Sequence, residues 1–333
     1  MTTKRTSFIR VVKCLPVLSV GFALVAASIA SAQDQRISSQ PIRFIVMFAA
    51  GGGSDVVARY VADRMSTLQG QTVVVENRPG AAGVIAARQV LSSDPNGLTV
   101  LVASNPLLIN QIIRPETKFE MLKELTPVAS VAPQSVVLVT PPEFPANSLK
   151  ELIDVAKKRD LNYGTTGAGS LSHLAVAYLL SSQPDVKMQH IPYAGSAPAL
   201  TAVMANQVEL GSSTVPPTIG LIAGGKLKPI AIASANRSVM LPNVPTYAEA
   251  GFPALPVSVW TGFFVPKAAP KDVVDRLSKA ILTASSGPEA QAKFKELGFE
   301  PSTSGAEKFN DELNAEFKIW ADVVKNLDPA TFK

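Results

Sequence analysis

The residues best placed to do chemistry are small ones. Phe44-Ile45-Val46-Met47-Phe48 is an apolar run of strand length, and Ala49-Ala50-Gly51-Gly52-Gly53-Ser54-Asp55 follows it directly. Glycines and alanines let the backbone turn sharply and leave its N–H groups uncovered. Val57, Val61, Met65 and Leu68 then recur at helical spacing. A strand, a bare turn and a helix N-terminus in that order make an anion site. The first N–H groups of the helix lack partners, and its dipole adds about half a positive charge there. The group expected at Ala49, Ala50, Gly52, Gly53, Ser54 and Asp55 is therefore a carboxylate.

Two further turns repeat the arrangement. Gly164-Thr165-Thr166-Gly167-Ala168-Gly169-Ser170 lies between an extended stretch at 161–163 and a helix through Leu174 and Leu179. Ala194-Gly195-Ser196-Ala197-Pro198 lies between the strand 190–193 and another helix. Thr165, Thr166, Gly169, Ser170, Ser196 and Ala197 thus join the candidates, as do Ser104-Asn105, which end the strand 98–103, and Ser213-Thr214, which follow the strand 208–210. A single glycine turn mostly makes a tight corner; several at strand ends that can converge point to binding.

Other residues have plainer roles available. Asp55 in a first helical turn stabilises the dipole by about 0.3–1 kcal/mol, and ligand contact is its alternative. His173 either closes the first turn of its helix or serves a ligand as donor or base. Arg78 either clamps a carboxylate or faces solvent beside Pro79-Gly80. Trp260 sits in an apolar strand, where an aromatic belongs to the core before it belongs to a cleft.

The elements that must position these groups alternate. Strands at 44–48, 72–75 and 98–103 are separated by helices, the second at 84–91, which implies a parallel sheet with ligands beyond the strands' C-terminal ends. An extended apolar stretch, 126–140, reads as a crossover strand. A capping box, Ser148 with Glu151, then opens a second set of strands and helices, and 227–233 reads as the return crossover. A strand at 257–265 and helices near 273–282 and 289–297 follow. Ser304 with Glu307 reads as a second capping box, before a helix carrying Phe309, Leu313, Phe317, Trp320 and Val324. The expected organisation is a first domain of 33–133 plus 231–333 and an inserted second domain of 134–230, with two crossover strands as the hinge.

Composition narrows the function classes. Lys4, Arg5, Arg10 and Lys13 precede an apolar run from Leu15 to Ala30, and Ala30-Ser31-Ala32 has the small-x-small pattern of a cleavage site, so residues 1–32 read as a cleaved signal peptide. Removing its four basic residues from 31 leaves 27 against 26 acidic ones, a net of +1. No basic block is interleaved with aromatics, which argues against nucleic acid. The sole cysteine, Cys14, precedes the apolar run and lacks a small neighbour, so no lipid anchor is expected. The mature chain then has no thiol chemistry and no disulfide. No later run is long enough to cross a membrane.

Enzyme motifs fail. No G-x-S-x-G surrounds a serine, and the first turn lacks the Lys-Ser/Thr ending of a phosphate-binding loop. A dinucleotide site is the best enzyme rival, with Gly51-x-Gly53 after a strand and Glu76 about 20 residues on. Its third glycine position is Val56, however, and an exported chain rarely meets a nicotinamide cofactor. No cofactor or metal is expected.

Taken together, the short motifs resemble one family, the solute-binding proteins of tripartite tricarboxylate transporters, or Bug proteins. They are Phe48-Ala49-Ala50-Gly51-Gly52-Gly53-Ser54-Asp55 with Ala58-Arg59, Val75-Glu76-Asn77-Arg78-Pro79-Gly80, and Tyr163-Gly164-Thr165-Thr166-Gly167 with Gly169-Ser170 and His173. Ile191-Pro192-Tyr193 with Gly195 and Pro198-Ala199-Leu200, Gly225-Lys226-Leu227, Pro242-Asn243-Val244-Pro245-Thr246 and Glu249-Ala250-Gly251 complete the set. The resemblance implies a monomeric periplasmic protein with an α/β, periplasmic-binding-protein-like (type II) fold. Its two α/β domains would be joined by a two-strand hinge, with the ligand cleft between them. The anion would lie between the first turn and the turns at Thr165–Ser170 and Ser196–Ala197, with Tyr193 and His173 close by, and the closed protein would serve a two-component membrane permease.

Two departures matter. Ala49-Ala50 stand where the family usually has two prolines, and Ser213-Thr214 where it often has an acidic or amide pair. A buried ligand ammonium would want an anionic partner, so the expected ligand is a carboxylate without an amino group. The competing readings are an exported enzyme acting on a carboxylate or nucleotide-type substrate, and an orphan sensor reporting to a partner protein.

Overall fold

The computed structural model describes Thr2, residues 37–255 and residues 257–325. The proposed signal peptide falls outside the described residues.

The first strand, β1 (Ile42–Val46), is apolar at every position but Arg43, as a strand covered on both faces requires. Helix α1 (Gly53–Gln69) buries Val57, Val61 and Met65 against it. Strand β2 (Val73–Asn77), helix α2 (Val84–Leu91) and strand β3 (Thr99–Ala103) continue the alternation, and β2, β1 and β3 pair in parallel. Helix α3 (Asn105–Ile113) and the short α4 (Met121–Glu124) lead to β4 (Leu125–Gln134).

The stretch predicted as one crossover strand is two. β4 ends at Gln134 in one sheet, and β5 (Val136–Thr140) begins in another after Ser135. Around β5 stand α5 (Leu149–Ala156), β6 (Leu161–Thr165), α6 (Leu171–Ser181), β7 (Met188–Pro192), α7 (Ser196–Met204), β8 (Leu210–Thr214), α8 (Ile219–Ala223) and β9 (Lys228–Ala233). The chain then returns to the first sheet with β10 (Val259–Pro266), α9 (Lys271–Ser286), α10 (Pro288–Glu296), β11 (Thr303–Gly305) and α11 (Ala306–Lys325). Among the described residues the first sheet runs β11-β4-β10-β3-β1-β2 and the second β7-β6-β8-β5-β9. Strand β10, from the C-terminal third, inserts antiparallel between β3 and β4.

Three expectations are corrected. The stretch 227–233 is not itself the return crossover, because β9 stays paired with β5 and the passage starts after Ala233. Ser213 and Thr214 lie inside β8, paired with β5, and not in a turn beyond it. Ser304 caps nothing: it sits in β11 and its hydroxyl donates to Glu312 at 2.9 Å, since antiparallel pairing with β4 fixes the strand up to Gly305. The capping box at Ser148 is present, with Glu151 N–H on Ser148 Oγ at 3.2 Å and Glu151 reaching back to Asn147 N–H at 2.7 Å.

Helix α11 belongs to both lobes. Phe309 and Leu313 join the core of the first sheet, whereas Trp320 and Val323 join the core of the second. Val323, not Val324, carries the buried face at that end. Helix α3 does the same with Leu107 and Ile109. These two helices pack against each other, and each contributes to both cores.

Candidate functional site

The turn after β1 leaves the N-terminus of α1 bare. Gly52 is its N-cap and offers no side chain, and Gly51 takes φ +84°, a conformation glycine adopts without strain. The shape of the turn is fixed from behind by Asp55. Its carboxylate accepts Gly51 N–H at 2.9 Å, Arg59 Nε at 3.0 Å and Asn77 Nδ2 at 2.8 Å, and Asn77 Nδ2 also holds Phe48 O at 3.0 Å. Burial pushes this carboxyl up, but Arg59, the Gly51 amide and Asn77 together outweigh burial and hold it below the usual carboxylate range. A Cβ on Gly53 would stand 2.9 Å from Gln134 Nε2, so glycine leaves room for the Gln134 amide beside the turn.

The second turn is a hydroxyl network. Ser170 Oγ caps α6 by accepting His173 N–H at 3.3 Å and donates to Gly167 O at 2.6 Å. Ser172 Oγ accepts Thr166 N–H at 3.1 Å and lies 2.8 Å from both Thr166 Oγ1 and Ser170 Oγ. Behind it stands a pair of imidazoles. His173 and His190 stack at 3.9 Å with a 3° interplanar angle, and Tyr163 stacks on His190 at 5.0 Å. His173 Nδ1 accepts Gly169 N–H at 3.1 Å, and His190 Nε2 lies 2.7 Å from Thr165 Oγ1. Burial, reinforced by the neighbouring His190, pushes His173 down to about 3; burial takes His190 down to about 4. Both rings are neutral at physiological pH, and His173 shapes the turn from inside the lobe.

The third turn leads into α7 through Gly195 at φ +113°, again with no side-chain cap. The fourth follows β3, where Ser104 precedes α3 and makes no capping hydrogen bond. Asn105 is fully committed to the framework. Its Oδ1 accepts Ser104 Oγ and Trp260 N–H, and its Nδ2 donates to Ser258 O and Glu316. Glu316 also accepts both indole N–H groups, from Trp260 at 2.7 Å and Trp320 at 2.9 Å. Burial raises this carboxyl, against the pull of those three donors. Trp260 therefore belongs to the core, as its strand suggested.

Four helix N-termini among the described residues, those of α1, α3, α6 and α7, open onto one cleft of about 850 Å³ between the two sheets. Of the predicted residues, Ala49, Ala50, Gly52, Gly53, Ser54, Ser104, Asn105, Thr166, Gly169, Ser170, Ser196 and Thr214 line it. Asp55, Thr165, His173, Tyr193, Ala197 and Ser213 do not: the side chains of Asp55, Thr165 and His173 bond within their own lobe, Ser213 is buried in β8, Tyr193 is half-buried and Ala197 is exposed outside the lining. Sequence reading missed Asn110, Arg114, Gln134 and Ser172 on the lining. Asn110 and Arg114 were findable as polar residues in and just after the apolar helix that Ser104-Asn105 opens. Nothing near Gln134 in the sequence marks it. Among the described residues no aspartate or glutamate lines the cleft. A second cavity of about 580 Å³, beside β10 and α11, carries Glu300, Glu312 and Glu316 together with Arg237 and Lys308, and among the described residues no helix N-termini converge on it as they do on the first.

The described residues contain no cluster of histidine, cysteine, aspartate or glutamate able to hold a metal ion. No helix among them is long and apolar enough to cross a membrane. A family model described as the tripartite tricarboxylate transporter family receptor matches residues 57–328. The chain belongs to this receptor family. Protein BugT of Bordetella pertussis is 31% identical over 311 residues, covering 92% of this chain and 95% of BugT. The solved periplasmic binding protein BugD superposes with a TM-score of 0.74 at 32% identity, over 89% of this chain and 99% of BugD. Rpa4515 of R. palustris, solved with adipate, gives a TM-score of 0.76 at 28% identity, over 86% of this chain and 97% of its own. This tripartite tricarboxylate transporter receptor thus has the type II periplasmic-binding-protein-like fold, with two α/β lobes and a cleft between them.

Proposed function

We propose that this receptor is exported to the periplasm, captures a small organic carboxylate in the cleft, and delivers it to a two-component membrane permease. The observation that carries the reading is the convergence of four helix N-termini from both lobes on one cavity. Dipoles and free N–H groups there favour negative charge without a lysine or arginine in the turns themselves. The adipate bound to Rpa4515 is a ligand of that kind. The absence of an acidic side chain on the lining leaves a ligand ammonium without a counter-charge, which supports a carboxylate lacking an amino group. Residues 1–32 are the proposed leader. The proposed domains are 33–134 with 234–333, and 135–233, the boundaries moved from 133 and 231 because β4 ends at Gln134 and β9 stays in the second sheet, and they close over the ligand as a monomer. Capture and release need only a difference in affinity between open and closed states.

The test is to unfold the protein, remove bound solute, refold it, and titrate succinate, glutarate and adipate against aspartate and glutamate. A ligand at about 100 times its dissociation constant stabilises by about 2.7 kcal/mol, roughly 4 °C in melting temperature for a chain of this size. Amine-free acids are expected to produce that rise. Tighter binding of aspartate or glutamate than of every amine-free acid would overturn the amine-free assignment, and recovery of a chemically altered acid would overturn the receptor.

A further inference from the structure

The helix N-termini account for one end of a ligand, but the cleft of about 850 Å³ is far larger than one carboxylate. A water occupies about 30 Å³ of liquid, so a single acid group would leave most of the space wet. The wall provided by α3 carries two groups that have no work in the fold. Asn110 is 2% exposed, lines the cleft, and its Nδ2 has no hydrogen-bond partner. A buried donor left unbonded is destabilising and rare in folded proteins. One turn further along, Arg114 also lines the cleft, exposed at the end of α3. Every other arginine among the described residues is paired with a carboxylate. Arg114 has none.

Asn110 stands in the last turn of α3 and Arg114 is the residue that ends it, and both line the same cleft. An amide donor beside a planar cation is a carboxylate receptor, since guanidinium meets a carboxylate with two parallel N–H groups. Resting on the carboxylate function proposed above, we propose that Asn110 and Arg114 form a second anionic subsite. It holds the distal carboxylate of a dicarboxylate whose first carboxylate sits at the helix N-termini. Asn110 then stays unbonded in the empty protein because its partner is the ligand. Closure of the lobes would withdraw Arg114 from water, which strengthens its attraction for the distal group.

The test pairs acids of equal length with one or two charges: adipate with hexanoate, glutarate with pentanoate. Calorimetry on the wild type is expected to show the dicarboxylate of a pair bound at least about tenfold more tightly. Arg114→Gln is expected to abolish that preference, weakening the dicarboxylate about tenfold or more and leaving the monocarboxylate unchanged. Asn110→Leu should weaken the dicarboxylate while keeping or raising the melting temperature, because the amide it removes bonds to nothing in the empty protein. Equal losses for both acids in Arg114→Gln, or no loss in either, would overturn the subsite. So would a wild type that binds monocarboxylates and ignores the dicarboxylates. If neither acid of any pair binds, the carboxylate function itself fails, and the subsite falls with it.

Discussion

The stacked imidazoles behind the second turn make the receptor acid-sensitive in a definite window. His173 Nδ1 accepts an amide hydrogen from Gly169, which only the neutral ring can do. Its folded pKa is about 3, against about 6.5 in the unfolded chain. A group with a depressed folded pKa gives stability that is complete above the unfolded value and is lost as the pH falls toward the folded one. At pH 5 the unfolded state has taken up most of a proton and the folded state almost none, so His173 alone costs about 2 kcal/mol relative to pH 8. His190, lowered to about 4, acts in the same direction, discounted because it is partly exposed. Glu316, whose carboxyl is raised, acts in the opposite direction, and Asp55 and Glu76, whose carboxyls are lowered, are lost only at lower pH. The assay is urea unfolding at pH 8, 7, 6 and 5 for the wild type and for His173→Phe, which keeps the ring stack but cannot titrate. The wild type should lose about 2 kcal/mol more than the variant across that range. Glu316, Asp55 and Glu76 are common to both proteins and drop out of the difference. Parallel stability curves for the two proteins would refute the reasoning.

Two further outcomes follow from packing. Asp55→Ala removes three hydrogen bonds to a buried carboxylate and takes the partner from Gly51 N–H and from one Asn77 amide hydrogen, while Asn77 keeps Phe48 O. It should cost about 3 kcal/mol in urea unfolding at unchanged m-value and also weaken ligand binding, although Asp55 does not line the cleft. Gly262→Ala places a Cβ 2.6 Å from Phe309 Cζ and 2.7 Å from Phe264 Cε2, both rings fully buried. Thermal melts should show a loss of about 1–3 kcal/mol, whereas Gly52→Ala, whose Cβ meets only Ala49 O at 3.6 Å, should melt with the wild type.

Much of the site was legible because its chemistry is written in local runs. A strand of apolar residues, a glycine turn and a helical repeat are short-range patterns, so the turns at Ala49–Gly53, Thr166–Ser170 and Ser196 fell where the residues said they would. The same residues could not say which way a polar group faces. Asp55, Thr165 and His173 sit in the right turns, yet their side chains bond backward into the lobe, and Asn105 is held by Trp260, Ser258 and Glu316 from far along the chain. Ser304 read as a helix cap because the pattern Ser-x-x-Glu is local, and pairing of β11 with β4 overrode it.

What the amino-acid sequence determined by itself was the alternation of strands and helices, the family motifs, and the chemistry of bare peptide N–H groups, all of which depend on neighbours a few residues apart. The tertiary structure alone decided that β10 enters between β3 and β4 and that α11 spans both cores. It also decided that Asn110 and Arg114 share a cavity with turns from the opposite lobe. Those facts depend on contacts between residues far apart in the chain, such as Asn105 with Glu316 at a separation of 211, and no local pattern encodes them.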